Sequence, residues 1–187
     1  ANMTDLSFYH GIYFPKVFEE FFEPGVFFKG VDQAGIERWQ RVLNTLYLRL
    51  TLDQGGRQLL IKNPVYTARP ALLAQQFPGA KFIHIHRNPY KVFVSMRNFW
   101  TALFREFALS DYDHIDIDQL VFDTYKKMMD AYLEQMKGFS AEELVEFAFD
   151  DFQKDPLGRL EDVYTKLDLE GFEAAAPKFK AYLDDVK

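Results

Sequence analysis

The chain of 187 residues contains no cysteine. Disulfides, thiolate nucleophiles and cysteine-ligated zinc are therefore excluded. Serine occurs only as Ser7, Ser95, Ser110 and Ser140, and none is followed by glycine. A Gly-x-x-x-x-Gly-Lys-Ser/Thr phosphate loop is likewise missing. No apolar run has the length of a membrane span, and no basic region followed by a hydrophobic stretch marks a leader. These absences predict a cytoplasmic protein. Acid is scarce in one place. Between Gln54 and Arg105 there is no Asp or Glu, while Arg57, Lys62, Arg69, Lys81, Arg87, Lys91, Arg97 and Arg105 fall in that stretch. The remainder holds 14 basic against 28 acidic residues, and the net charge is −6. An acidic chain of this kind is not a nucleic-acid binder as a whole. A local cationic stretch within it suits a small anionic ligand, or else a set of solvated helix faces.

What the chain has in quantity is apolar surface. Hydrophobic residues make up 48%, and 20 residues are Phe. That is a globular composition, and the length suits one domain over residues 1–187 with a sizeable core. No internal repeat or low-complexity linker divides it. From Asp5 to Phe28 the aromatic run predicts one or two short helices broken by Gly11, Pro15, Pro24 and Gly25. Asp32 is placed to cap a helix to about Leu52, with Ile36, Trp39, Val42, Leu43, Leu46 and Leu50 on one face. Leu59–Ile61 reads as a first buried strand, and Thr67–Phe77 as a helix with Pro70 in its first turn. Phe82–His86 reads as a second strand. Asn88 then caps a helix opened by Pro89 and running to about Ala108. A helix opened by Asp116 or Asp118 runs to near Gly138. Leu144–Phe149 is the third predicted strand, Gly158–Leu167 a helix, and a last helix follows Pro177. Strands separated by helices predict an α/β fold, a largely parallel sheet flanked by helices.

Ligands of open parallel sheets bind at the carboxyl ends of strands. The strand Phe82–His86 runs directly into Arg87-Asn88-Pro89 and a helix start, where free N–H groups and the dipole favour an anion. Arg87 adds a planar fork of donors. Ser95, eight residues on, lies about two turns into that helix. The residues alone leave two readings: an anion site at Arg87 and Ser95, or a surface ion pair and a small helical residue. His84 and His86 share a strand face. They read as satisfied core histidines, with a metal pair as a rival that no ligand spacing supports.

The segment Leu60-Ile61-Lys62-Asn63-Pro64, followed by Phe77-Pro78-Gly79-Ala80-Lys81-Phe82-Ile83-His84-Ile85-His86-Arg87-Asn88-Pro89 and Ser95, resembles the sulfotransferase family in its bacterial-type branch. Phe147-Ala148-Phe149-Asp150-Asp151-Phe152 and Asp155-Pro156-Leu157 resemble a later strand and turn of that family. The resemblance implies a P-loop-NTPase-like sulfotransferase fold and 3′-phosphoadenylyl sulfate (PAPS) as sulfuryl donor, with no metal required. It implies that Arg87 and Ser95 hold the donor's 3′-phosphate. Lys62 matches a family lysine near the transferred group, and is expected to stabilise charge there. Phe149 stands at an aromatic position that packs on adenine in the family, though a core role is open to it. The base stays open between Tyr66, His86 and an acidic residue.

The family's N-terminal phosphate loop has no counterpart in this sequence. The expectation is a fold incomplete at its N-terminus, the C-terminal part of a longer domain, or a member that has lost transfer activity. Two functions stand at this point. One is sulfuryl transfer from PAPS to a hydroxyl or amine of a small-molecule or carbohydrate acceptor. The other is a non-catalytic 3′-phosphoadenosine-nucleotide-binding or interaction module. An uncovered sheet edge would also invite self-association.

Overall fold

The computed structural model describes residues 6–185; Asp5, where the aromatic stretch begins, lies outside them. The chain runs α1 (Tyr9–Tyr13), α2 (Phe18–Phe27), α3 (Gln33–Asp53), α4 (Pro70–Gln76), β1 (Phe82–His86), α5 (Pro89–Phe107), α6 (Ile117–Gln135), β2 (Leu144–Ala148), α7 (Phe149–Lys154), α8 (Pro156–Lys166) and α9 (Phe172–Asp185). Short 3-10 turns lie at Pro15–Val17, Pro64–Ala68 and Met136–Gly138. The chain divides into two compact units, one of residues up to Arg69 with Phe93–Ala131, the other of Pro70–Val92 with Tyr132 onward.

Side-chain caps set the helix starts. Asp32 accepts from the Gly35 N–H at 2.8 Å and opens α3. Asn88 accepts from the Tyr90 N–H at 2.9 Å and opens α5. Asp116 accepts from Gln119 at 3.0 Å and opens α6, and Asp155 does the same for α8 through Gly158. Each satisfies a donor that the first helical turn leaves without an intrahelical partner. At the far end of α3, Gly55 and Gly56 both take positive φ, and the Gly56 N–H turns back to the Thr51 carbonyl at 2.8 Å. That left-handed turn stops the helix where the glycine pair predicts.

The first unit is built on aromatic packing. Ile12, Phe18, Phe22, Val26, Trp100, Phe104 and Val121 form its buried core. Phe18 stacks on Phe22 with centroids 4.9 Å apart, and Trp100 meets both edge-on at 5.8 and 5.6 Å. Such contacts add to the large area that each ring removes from water. Arg69 is buried in this unit at 6% exposure. Its Nη2 donates to the Gly25 and Val26 carbonyls at 2.9 and 2.5 Å, closing the C-terminal end of α2. Its guanidinium lies 3.9 Å from the Phe28 ring centroid and 5.2 Å from that of Trp39. Burial pulls its pKa down to about 10, which leaves it charged at neutral pH.

The second unit carries the sheet. β1 and β2 are parallel and pair Phe82 with Leu144, His84 with Glu146 and His86 with Ala148. Val145 packs against Val163 and Leu167 of the α8 region, with Phe147 and Leu169 at the margin.

Several expectations are corrected. Leu59–Ile61 is irregular chain, not a strand, because a strand needs a neighbouring ladder and none pairs with it among the described residues; Leu60 is 89% exposed. Pro24 and Gly25 lie inside α2, and Gly11 lies inside α1. Pro177 lies inside α9 and does not precede it. The helix predicted from Thr67 divides into a 3-10 turn and α4, which opens at Pro70. Phe149 is the first residue of α7, one step beyond the strand.

Candidate functional site

β1 ends at His86, and the next three residues are Arg87, Asn88 and the first residue of α5. β2 ends alongside at Ala148, and Phe149 follows. The two strand ends bring Arg87 and Phe149 together, with the guanidinium carbon 4.8 Å from the ring centroid. An arginine resting on a ring keeps its N–H fork free while losing little further rotamer freedom on binding. Lys91, in the first turn of α5, meets Asp150 of α7 at 3.7 Å. Both side chains are largely exposed, so the pair adds little stability. It does place the nearby acid against a lysine and not against Arg87.

Most basic residues of the acid-free stretch are held by protein oxygens. Arg57 donates to the Gln54 carbonyl, Arg69 to Gly25 and Val26, and Lys81 to the Glu142 carbonyl at 2.8 Å. Lys91 pairs with Asp150, Arg97 with Asp118 at 2.7 Å and Arg105 with Glu106 at 2.9 Å. Six of the eight basic residues are thus engaged by a protein oxygen. The other two are Arg87 and Lys62, which among the described residues have no such partner. They are the two cations that the sequence motifs single out.

Lys62 and Ser95 belong to the first unit. Lys62 is exposed on the irregular segment 57–63, just before Asn63. Asn63 accepts from the Val65 N–H at 3.1 Å and turns the chain into Pro64–Ala68. Ser95 is exposed on α5, the helix that Pro89 opens. Tyr66 shares its hydroxyl with that of Tyr47 at 2.7 Å. Burial, then the hydrogen bond to Tyr66, pushes the Tyr47 hydroxyl well above its ordinary range.

The two strand histidines separate in environment. His86 is exposed, contrary to the core reading, because the strand ends there and its neighbour across the ladder is only Ala148. The His84 side chain is 14% exposed, and its Nδ1 lies 2.8 Å from Glu146 Oε2. The Tyr132 hydroxyl donates to the same carboxylate oxygen at 2.7 Å, and the rings of His84 and Tyr132 lie 4.0 Å apart. Burial alone would raise the Glu146 pKa. The hydrogen bonds from Tyr132 and His84, with the nearby imidazoles, outweigh it and hold the carboxyl below its usual range. Tyr132, by burial and by that bond, is pushed well up. Sequence reading missed Tyr132 and Glu146. Glu146 is placed by the cross-strand register opposite His84, and Tyr132 by the packing of α6 against that pair; neither relation lies within a single segment.

No group of three His, Asp or Glu side chains among the described residues is arranged to hold a metal. His114, in the first unit, has Nε2 at 3.1 Å from the Pro15 carbonyl. No helix of the described residues is long and apolar enough to cross a membrane.

The structure is similar to the sulfotransferase domain from the curacin biosynthetic pathway, with a TM-score of 0.54 and 19% identity over 68% of this chain and 44% of that one. That likeness shows the fold. Two curated relatives, omega-hydroxy-beta-dihydromenaquinone-9 sulfotransferases of Mycobacterium bovis and Mycobacterium tuberculosis, are each 29% identical over 91% of this chain. The chain spans 43% of the length of those relatives. Residues 27–174 match the sulfotransferase family, a span that takes in Lys62, the strand end at Arg87, Ser95 on α5 and Phe149 on α7, and the chain belongs to that family.

Proposed function

We propose that this chain is the nucleotide-binding part of a PAPS-dependent sulfotransferase, in which Arg87 binds the 3′-phosphate of the donor. The observation that carries this reading is the state of Arg87. It is a guanidinium at a strand end beside a helix N-terminus, stacked on Phe149 and without an acidic partner among the described residues. A phosphate offers what such a group lacks, two acceptor oxygens in one plane with its fork. Ser95 joins this proposal through the sequence match. Phe149 supports the site by carrying Arg87, and its packing on adenine stays within the proposal. Lys62, exposed and without an oxygen partner of its own among the described residues, is proposed to meet the developing charge of the transferred sulfuryl group. Such stabilisation is the main contribution a protein makes to transfers of this type.

The proposed acceptor is a hydroxyl on a largely apolar small molecule. The names of the curated relatives support this class, as do the exposed aromatic side chains of Tyr13, Phe14 and Phe107 in the first unit. An amine acceptor is the other outcome of an acceptor screen.

Comparison of wild type with Arg87→Ala by titration with adenosine 3′,5′-bisphosphate tests the proposal. Hydrogen bonds to a charged group contribute about 1.5–3 kcal/mol, so affinity should fall by roughly ten- to a hundredfold. Equal affinity of the two proteins overturns the assignment. Binding without any sulfuryl transfer would favour a module that only holds the nucleotide.

A further inference from the structure

The proposed half-site stands on two strand ends, and the same polar group ties both strands one step back. His84 precedes Arg87 by three residues on β1, and Glu146 precedes Phe149 by three on β2. The register sets His84 directly against Glu146. Glu146 Oε2 receives Nδ1 of His84 at 2.8 Å and the Tyr132 hydroxyl at 2.7 Å. An ionised carboxylate only accepts, so Nδ1 of His84 carries the proton in this bond. Tyr132 comes from α6, and its ring lies 4.0 Å from the imidazole. Three elements therefore meet at one oxygen. A two-stranded parallel ladder is weak by itself, so such a tie governs how firmly the strand ends stay level.

We infer that Tyr132, Glu146 and His84 form a positioning clamp for the nucleotide half-site, holding the end of β1 against the end of β2 so that Arg87 remains seated on Phe149. Its consequence for the ligand rests on the reading of Arg87 as the 3′-phosphate group's partner. None of the three is a catalytic residue, since they act through Arg87. The clamp depends on a charged Glu146. The titratable and charged groups facing that carboxylate are Tyr132 from α6 and His84 and His86 from β1, and Lys166 of α8 and Glu142, just before β2, line the same open depression. Because the folded carboxyl titrates below its ordinary value, the clamp is intact at neutral pH and is lost as pH falls through that lowered value.

Nuclear magnetic resonance of the chain tests the clamp without any ligand. Phe149 imposes a ring-current shift on the Arg87 side-chain protons. Glu146→Ala should at least halve that shift, and Tyr132→Phe should reduce it. In wild type the shift should collapse as Glu146 takes up its proton, while Glu146→Gln shows no such step. In the same proteins, affinity for adenosine 3′,5′-bisphosphate should fall about tenfold in Glu146→Ala, the scale of one charge-assisted hydrogen bond, and affinity for 5′-AMP should not change. A folded Glu146→Ala with the wild-type ring-current shift and wild-type affinity overturns the inference. Should Glu146→Ala fail to fold, Glu146→Gln and Tyr132→Phe decide it by the same two readings. Should wild type bind no bisphosphate, the proposed function fails, and the ring-current shift alone still decides the clamp.

Discussion

Arg69 and Arg87 show how one residue type serves two purposes in this chain. Both guanidiniums lie over aromatic rings. Arg69 is buried and spends its Nη2 on the carbonyls that end α2, while its Nε and Nη1 have no hydrogen-bond partner among the described residues. Its role is to close a helix end inside the first unit. Arg69→Ala should therefore destabilise the chain by about 3 kcal/mol, from two lost charge-assisted bonds and the lost ring contacts, with no specific effect on nucleotide affinity; urea unfolding and calorimetry separate the two. Arg87 is exposed and keeps its fork open. Arg87→Lys retains the charge but not the fork, and should recover only part of the affinity that Arg87→Ala loses, as a titration of both variants will show. Ser95→Ala, which removes a neutral hydroxyl, should cost less than either.

Among the elements, α5 carries the most consequence for the site, and its start was legible in sequence. Asn88 followed by Pro89 is a cap and a first-turn proline, and the structure places Asn88 Oδ1 on the Tyr90 N–H at 2.9 Å. Asn88→Ala should lower stability by about 1 kcal/mol, read as a shift in the thermal midpoint. β1 was legible to the residue, because Phe82–His86 is bounded by Gly79 and Asn88-Pro89. The misread elements share a cause. A run of Leu59–Ile61 is apolar whether or not a neighbouring strand exists, so sequence cannot tell a strand from an extended loop there. Pro24 and Pro177 look like breaks, yet both are carried inside helices; in α2 the burial of Phe18, Phe22 and Val26 offsets the local penalty. The site was half legible. Arg87 and Lys62 stood out by motif, whereas Glu146 meets His84 through the strand register and Tyr132 reaches Glu146 from α6, relations that no single segment encodes.

For the whole molecule, family membership rests on the match over residues 27–174, and the shared fold on the likeness to a solved sulfotransferase domain. The second unit also has an exposed apolar strand face. On β1 Phe82 and His84 are half-buried, while Ile83 and Ile85 are 40% and 48% exposed. Among the described residues β1 pairs only with β2. An apolar strand face beside an open edge favours pairing with another copy. We therefore expect concentration-dependent self-association of this chain, reduced by Ile85→Lys; light scattering that shows a monomer at all concentrations would refute it.

Recognition of a 3′-phosphate by this chain is tested most directly by calorimetric titration with adenosine 3′,5′-bisphosphate beside 5′-AMP. The bisphosphate should bind at least tenfold tighter than 5′-AMP, since one phosphate and its contact to Arg87 separate the two. Equal affinities, or no binding of either at millimolar ligand, would contradict it.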